Sequence, residues 1–160
     1  AGVSNYSVSQ TRRAHAALAR RGFPLASNQV RFSLLDRGPE RSGLLEACRE
    51  LKVTLIAYSP LAQGYLTGKY TRLHPMRGLR SARLGGPSYA QLDRLVGLLR
   101  EIGSGHEGRT PAQVALNWVL CKGAVPIPGA KTAQQAEENA GAVGWRLTPD
   151  EVRALDTATA

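Results

Sequence analysis

Cysteine, methionine and aromatic residues are scarce in this sequence: two Cys, one Met, and 6% Phe, Trp and Tyr together. Two cysteines cannot build the multi-bridge framework of a small secreted domain. With no C-x-x-C spacing, they exclude a structural zinc site by number and spacing as well. Cys48 falls on the apolar face of a helical pattern and Cys121 near a helix end, so both read as reduced thiols of a reducing compartment. No apolar run approaches the ~20 residues that span a bilayer, and no signal-peptide pattern opens the chain. Internal repeats, low-complexity tracts and linkers are also lacking. Acidic residues are few, 12 Asp+Glu against 21 Lys+Arg, and the resulting net charge of +9 asks for an anionic partner: nucleic acid, a membrane surface or a phosphorylated small ligand. Nucleic acid is disfavoured, because the charges are spread and no stacking platform or recognition motif accompanies them.

What is present is an ordinary globular composition, 42% apolar and 21% charged over 160 residues. That argues against disorder, and a chain of this size buries roughly 70% of its unfolded surface, enough for one core. The chain opens on Ala1, and Gly2-Val3-Ser4-Asn5 reads as the end of a strand already under way, so an incomplete N-terminus is expected.

Short apolar strand candidates alternate with amphipathic helix candidates, the pattern of parallel β/α units. After a first strand tail at 2–4, Ser7 and Gln10 form a capping-box pattern that opens a helix over 7–21, stopped by Gly22. A strand is expected within 24–32 and a helix over 42–51, with Leu44, Leu45, Cys48 and Leu51 on one stripe. Residues 53–58 are apolar throughout, as expected of a strand buried on both faces. A long irregular segment over 59–87 follows, and loops of that length are usually functional or disordered. A helix over 88–102 presents Leu92, Leu95, Val96, Leu99 and Ile102 on one face. Thr110-Pro111-Ala112-Gln113 opens another that runs to about Cys121. A fourth strand at 124–127 leads to a helix over 132–140, with Thr132 and Gln135 as its capping pattern, and Thr148 opens a last helix. These units fit either part of a TIM barrel, which in full takes eight strands and ~250 residues, or a small doubly wound sheet.

Five motifs stand along these units: Gly2-Val3-Ser4-Asn5; Asn28-Gln29-Val30; Ala57-Tyr58-Ser59-Pro60-Leu61; Leu66-Thr67-Gly68-Lys69-Tyr70; and Ile127-Pro128-Gly129-Ala130-Lys131-Thr132 followed by Glu138-Asn139. In this order and spacing they resemble the aldo-keto reductase family over essentially the whole chain, and the segment from Thr110 through Asp156 looks most like plant and algal plastid members. The resemblance implies an α/β fold of the (β/α)8 TIM-barrel type, here a partial barrel of about four parallel β/α units. Residues 1–160 would be the C-terminal half, strands five to eight, of an NADP-dependent barrel domain.

Polar residues at the end of an apolar strand usually point at something other than core. Ser4, Asn5 and Gln29 offer hydroxyl and amide groups there, and the resemblance implies that they hold the nicotinamide carboxamide. The alternative is a set of local turn bonds to the backbone. Tyr58 ends the strongest strand, and by resemblance its ring stacks on the nicotinamide; otherwise it is a core tyrosine with a satisfied hydroxyl. The family's catalytic tyrosine belongs to the other half of the barrel.

From 69 to 83 the chain carries Lys69, Arg72, Arg77, Arg80 and Arg83 and no acid. Such a segment suits closure over a pyrophosphate, with Ser59, Leu61 and Gly64 offering backbone or hydroxyl contacts, and by resemblance Lys69 matches a cofactor-contacting position; the alternative is a solvated basic loop. Pro128-Gly129-Ala130-Lys131-Thr132 links a strand to a helix start, where free N–H groups and the positive helix end attract phosphate. Gly129 allows close backbone approach. Lys131 adds a full charge that favours the 2′-phosphate of NADP, and Thr132 caps the helix beside it. Gln135, Glu138 and Asn139 share one face at i, i+3 and i+4, where the resemblance places the adenosine.

Gly103-Ser104-Gly105-His106-Glu107-Gly108 matches G-x-G-x-x-G literally, but a dinucleotide fingerprint follows a strand and opens a helix. Here a long helix precedes it, so it reads as a helix stop and connector, with His106 a loop histidine. His15 and His74 have no supporting partners, and no Ser-His-Asp or metal set emerges. In the family, catalysis rests on an Asp, Tyr, Lys and His set from the first half of the barrel. No motif here matches it, and no catalytic residue is assigned. The resemblance thus implies an oxidoreductase passing hydride between NADPH and a small aldehyde or ketone. This chain would hold most of the cofactor site, bind NADPH poorly alone and turn over nothing. The other reading is a non-catalytic short form, a nucleotide-binding or interaction module. Self-association through exposed sheet edges is expected, with no nucleic-acid or membrane partner. The expected location is soluble and intracellular, in the cytoplasm or plastid stroma.

Overall fold

The computed structural model describes residues 1–72, 74–75 and 88–160. Four parallel strands form one sheet in sequence order: β1 (Gly2–Ser4), β2 (Ser27–Arg31), β3 (Thr54–Tyr58) and β4 (Val125–Ile127). The crossovers are α1 (Val8–Ala19), the short α2 (Gly38–Arg41) with α3 (Leu44–Glu50), and α4 (Tyr89–Gly105) with α5 (Pro111–Cys121). After β4 come α6 (Ala133–Ala140) and α7 (Pro149–Ala158). Every strand neighbour in the sheet is its neighbour in the chain, and that is the order of a barrel wall rather than of a doubly wound sheet, whose order reverses at a switch point.

The helices start where local chemistry dictates. Ser7 with Gln10, Thr110 with Gln113 and Thr148 with Glu151 form complete capping boxes, and Pro111 and Pro149 occupy the first turn. The stripe Leu92, Leu95, Val96, Leu99 and Ile102 is buried as the spacing predicts. It meets Val30, Leu55 and Ala57 of the sheet and Trp118 of α5 in one core. Cys48 is buried there, which pushes its thiol up from the ordinary value, and neither cysteine is bonded to the other.

Two expectations need correction. The strand over 53–58 is not buried on both faces: Leu55 and Ala57 are buried, but Thr54 is exposed and Ile56 and Tyr58 are partly so. The same alternation crosses the sheet. Gly2, Ser4, Val125 and Ile127 are exposed on the side that Thr54 and Tyr58 share by register. One sheet face therefore carries the core and the other is open, and among the described residues β1 and β4 each have one unpaired edge. The segment over 59–87 is also not irregular throughout, because Ala62–Thr67 forms 3-10 turns joined at a kink, where Gln63 (φ 56°) and Gly64 (φ 97°) are left-handed. Arg77, Arg80 and Arg83 lie outside the described residues.

His106 is more than a loop histidine. It caps α4, and its Nε2 lies 2.9 Å from a Glu151 carboxylate oxygen at the start of α7, with its ring 4.7 Å from that of Trp145. Burial pushes the Glu151 carboxyl up. Hydrogen bonds from the Thr148 N–H, the His106 ring and the Thr148 hydroxyl outweigh that push and hold it below its ordinary value of 4.5. The folded state therefore binds fewer protons than the unfolded one around that value, so this contribution to stability is present above it and is lost as pH falls through the lowered folded value. Urea unfolding between pH 3 and 6 (a range bracketing ordinary carboxylate values, ~4) should show wild type losing more stability on the acid side than Glu151→Gln, which keeps the capping box. Parallel curves for the two would show that the carboxylate contributes nothing.

Candidate functional site

Parallel pairing brings Tyr58 beside Ile127, so the segments that leave β3 and β4 emerge together at the carboxyl end of the sheet. They enclose a cleft of about 750 Å³. Ser59, Leu61, Gly64 and Lys69 line one wall, and Gly129, Lys131, Gln135, Glu138 and Asn139 the other. The bend after β4 and the tyrosine-tipped strand therefore share one end of one sheet, as the order of the motifs requires.

The first wall is built on unusual backbone. Ser59 (φ 52°), Ala62 (φ 47°) and Gln63 (φ 56°) are left-handed without being glycine, a conformation that costs of order 1 kcal/mol each and tends to collect at binding sites. A Cβ on Gly64 would stand 2.7 Å from Lys69 Cε, so the lysine stem folds directly over this glycine. Its ammonium rests 4.7 Å from the Tyr70 ring centroid.

The second wall is a helix start. Thr132 Oγ1 accepts the Gln135 N–H at 3.2 Å. Gln135 does not complete the capping box, because its side chain accepts instead from the Lys131 N–H at 2.7 Å, which draws the bend tight against the first turn of α6. The Asn139 amide reaches back to the Gly129 carbonyl at 3.5 Å. A Cβ on Gly129 would meet nothing within 4 Å, so the fold itself does not require glycine there. Among the described residues neither Lys69 nor Lys131 is ion-paired, so two cations and a helix N-terminus face one cleft, with Glu138 the carboxylate that lines it. This arrangement suits a ligand with more than one phosphate.

Ser4, Asn5, Gln29 and Tyr58 do not line this cleft; they form a second group on the adjoining strand ends. Ser4 Oγ donates to the Gln29 carbonyl at 3.0 Å. Tyr58 Oη donates to Asn5 Oδ1 at 3.2 Å, bridging from β3 across β2. Asn5 is left-handed (φ 58°) and its N–H donates to the Gln29 carbonyl at 2.9 Å. Asn28 fixes this turn from below: buried, it donates to the Tyr6 carbonyl and to Thr11 Oγ1, each at 3.0 Å. Sequence reasoning missed Gln63, Thr67 and Ala112 in the cleft. Thr67 stands inside the fourth motif and Gln63 beside Gly64, so both could have been found by adjacency; Ala112 comes from α5, and no local signal marks it.

The fold defines a section of a (β/α)8 barrel, with this cleft at the carboxyl ends of the strands. The chain belongs to the aldo/keto reductase family, whose family model matches residues 1–160. It is 46% identical over 157 residues to the chloroplastic pyridoxal reductase of Arabidopsis thaliana, covering 98% of this chain and 42% of that protein. It is 32% identical over 162 residues to the Schizosaccharomyces pombe aldo-keto reductase yakc, whose name carries NADP(+), covering 96% of this chain and 46% of that one. Among solved structures, a glycerol dehydrogenase from Gluconobacter oxydans superposes with a TM-score of 0.83 at 27% identity, over 98% of this chain and 47% of that chain. The chain spans less than half the length of each of these relatives. No helix among the described residues is long and apolar enough to cross a membrane.

Proposed function

We propose that this chain forms the nucleotide-binding side of an NADPH-dependent reductase acting on a small aldehyde or ketone. The observation that carries the reading is the cleft after β3 and β4, where Lys69, Lys131 and the start of α6 converge and where, among the described residues, neither lysine is ion-paired although Glu138 shares the lining. When bound, the dinucleotide supplies a hydride to a carbonyl carbon. Lys131 and the first turn of α6 would hold the 2′-phosphate, and Lys69 the pyrophosphate. Glu138 and Asn139 would face the adenosine. The Tyr58 ring would flank the nicotinamide. Ser4 Oγ, donating to Gln29, keeps lone pairs for a carboxamide N–H, and the Gln29 amide is free among the described residues to complete the contact. No residue here is assigned the proton donor that completes reduction, so binding without turnover is the expected behaviour of the chain by itself. Similarity to a chloroplastic reductase supports a plastid location.

Fluorescence titration of the chain should give tighter binding of NADPH than of NADH. Lys131→Met should lower NADPH affinity about tenfold, roughly 1.4 kcal/mol, with little change for NADH. Equal affinities for the two dinucleotides in wild type would overturn the assignment of Lys131. Steady NADPH oxidation with an aldehyde by this chain would overturn the division of binding from catalysis.

A further inference from the structure

α6 carries Glu138 and Asn139 into the cleft, yet none of its residues is buried. The core therefore does not fix its position, and polar ties must. Its last carbonyls show where the ties are. Those of Glu137, Asn139 and Ala140 accept the N–H groups of Gly141, Ala142 and Val143. Among the described residues the Glu138 carbonyl has one donor, Gln113 Nε2, at 3.0 Å. The same amide, through Oε1, accepts the Thr110 N–H at 3.0 Å and completes the capping box of α5. One side chain thus satisfies an orphan donor at the start of one helix and an orphan acceptor at the end of another. Gly141 leaves the space for it, since a Cβ there would stand 2.2 Å from Gln113 Nε2. One turn further along α5, buried Asn117 donates to the Ala142 and Trp145 carbonyls at 2.9 and 3.0 Å and accepts the Leu147 N–H, holding the exit from α6.

We propose that Gln113 is a positioning residue for the adenylate side of the cleft: it never reaches the ligand, but it sets where Glu138 and Asn139 stand. This rests on the dinucleotide reading above. Gln113→Glu isolates the tie, because a glutamate at this position still caps Thr110 but turns an acceptor, not a donor, toward the Glu138 carbonyl. The probe is adenosine 2′,5′-bisphosphate, titrated by calorimetry into the full chain. Its affinity should fall about tenfold in Gln113→Glu, with the melting temperature little changed and amide exchange faster at residues 141–143 but not at 114–117. Gly141→Ala, which crowds the same amide from the other side, should weaken binding in the same way. Undiminished affinity in Gln113→Glu overturns this inference alone. So does an affinity loss that accompanies faster exchange throughout the chain. Failure of wild type to bind the probe overturns the reading of the cleft, and this inference with it.

Discussion

Gly103→Ala should destabilise the protein by about 3 kcal/mol and lower its melting temperature by roughly 10 °C. A Cβ on Gly103 would lie 2.0 Å from the Arg109 carbonyl oxygen and 3.0 Å from its carbon. These are backbone atoms with nowhere to go. The Arg109 N–H is bound to the Gly103 carbonyl at 2.9 Å, and the chain returns through left-handed Glu107 (φ 57°) and Gly108 (φ 76°). Gly105 is the control: two residues on in the same helix, its Cβ would meet nothing within 4 Å. Gly105→Ala should stay within about 1 kcal/mol of wild type. Thermal unfolding of the two variants decides the matter, and equal melting temperatures would remove the argument. The pair also settles what the literal G-x-G-x-x-G at 103–108 is for. Its first glycine is required by the chain's own return onto α4, not by close approach of a pyrophosphate.

The features legible in the sequence are those whose causes are local. The capping boxes at Ser7 and Thr110 are readable because the partner is fixed three residues on. The joint order of five short motifs carried the barrel assignment, and the place of Gly129 and Lys131 at the cleft is legible because a strand end followed by a helix cap is set by local spacing. Three features were hidden for physical reasons. The left-handed Ser59, Ala62 and Gln63 carry no compositional signal, so the 3-10 turns were read as irregular. Ile56 and Tyr58 are apolar enough to make a half-open strand look fully buried. Gln135 reached past Thr132 to Lys131 because the bend before the helix folds back, which spacing alone does not reveal. The Arg37–Asp156 contact is a further case, joining residues 119 apart in sequence.

That contact belongs to a cluster whose disruption should have the second largest effect. Asp156 of α7 accepts Lys122 Nζ at 2.6 Å, Arg37 at 3.1 Å and the Trp118 indole N–H at 3.0 Å. Glu40 takes Lys122 at 2.9 Å and also pairs with Arg37. Both cations stand 5.2 Å from the centroid of Trp118, which is fully buried. The four charged side chains are between 14% and 28% exposed, so water screens them poorly. Asp156→Ala leaves two cations sharing one carboxylate over an aromatic face and strands the indole N–H. Breaking a fully buried pair costs about 3–5 kcal/mol, and partial exposure here brings the expected loss to about 2 kcal/mol. Arg49, paired with Glu46 on an open helix surface with both side chains about 60% exposed, is the contrast; Arg49→Ala should change stability by less than about 0.5 kcal/mol. Urea unfolding at low and high salt separates them further, because only the exposed pair should respond strongly to ionic strength. Equal losses for Asp156→Ala and Arg49→Ala would show that the cluster is ordinary surface charge. The cluster joins α2, α5 and α7 rather than the cleft, so Asp156→Ala is expected to keep NADPH affinity within about twofold of wild type at temperatures where it is folded. In Gln113→Glu the two measurements should move in the opposite proportion: binding is lost while stability holds.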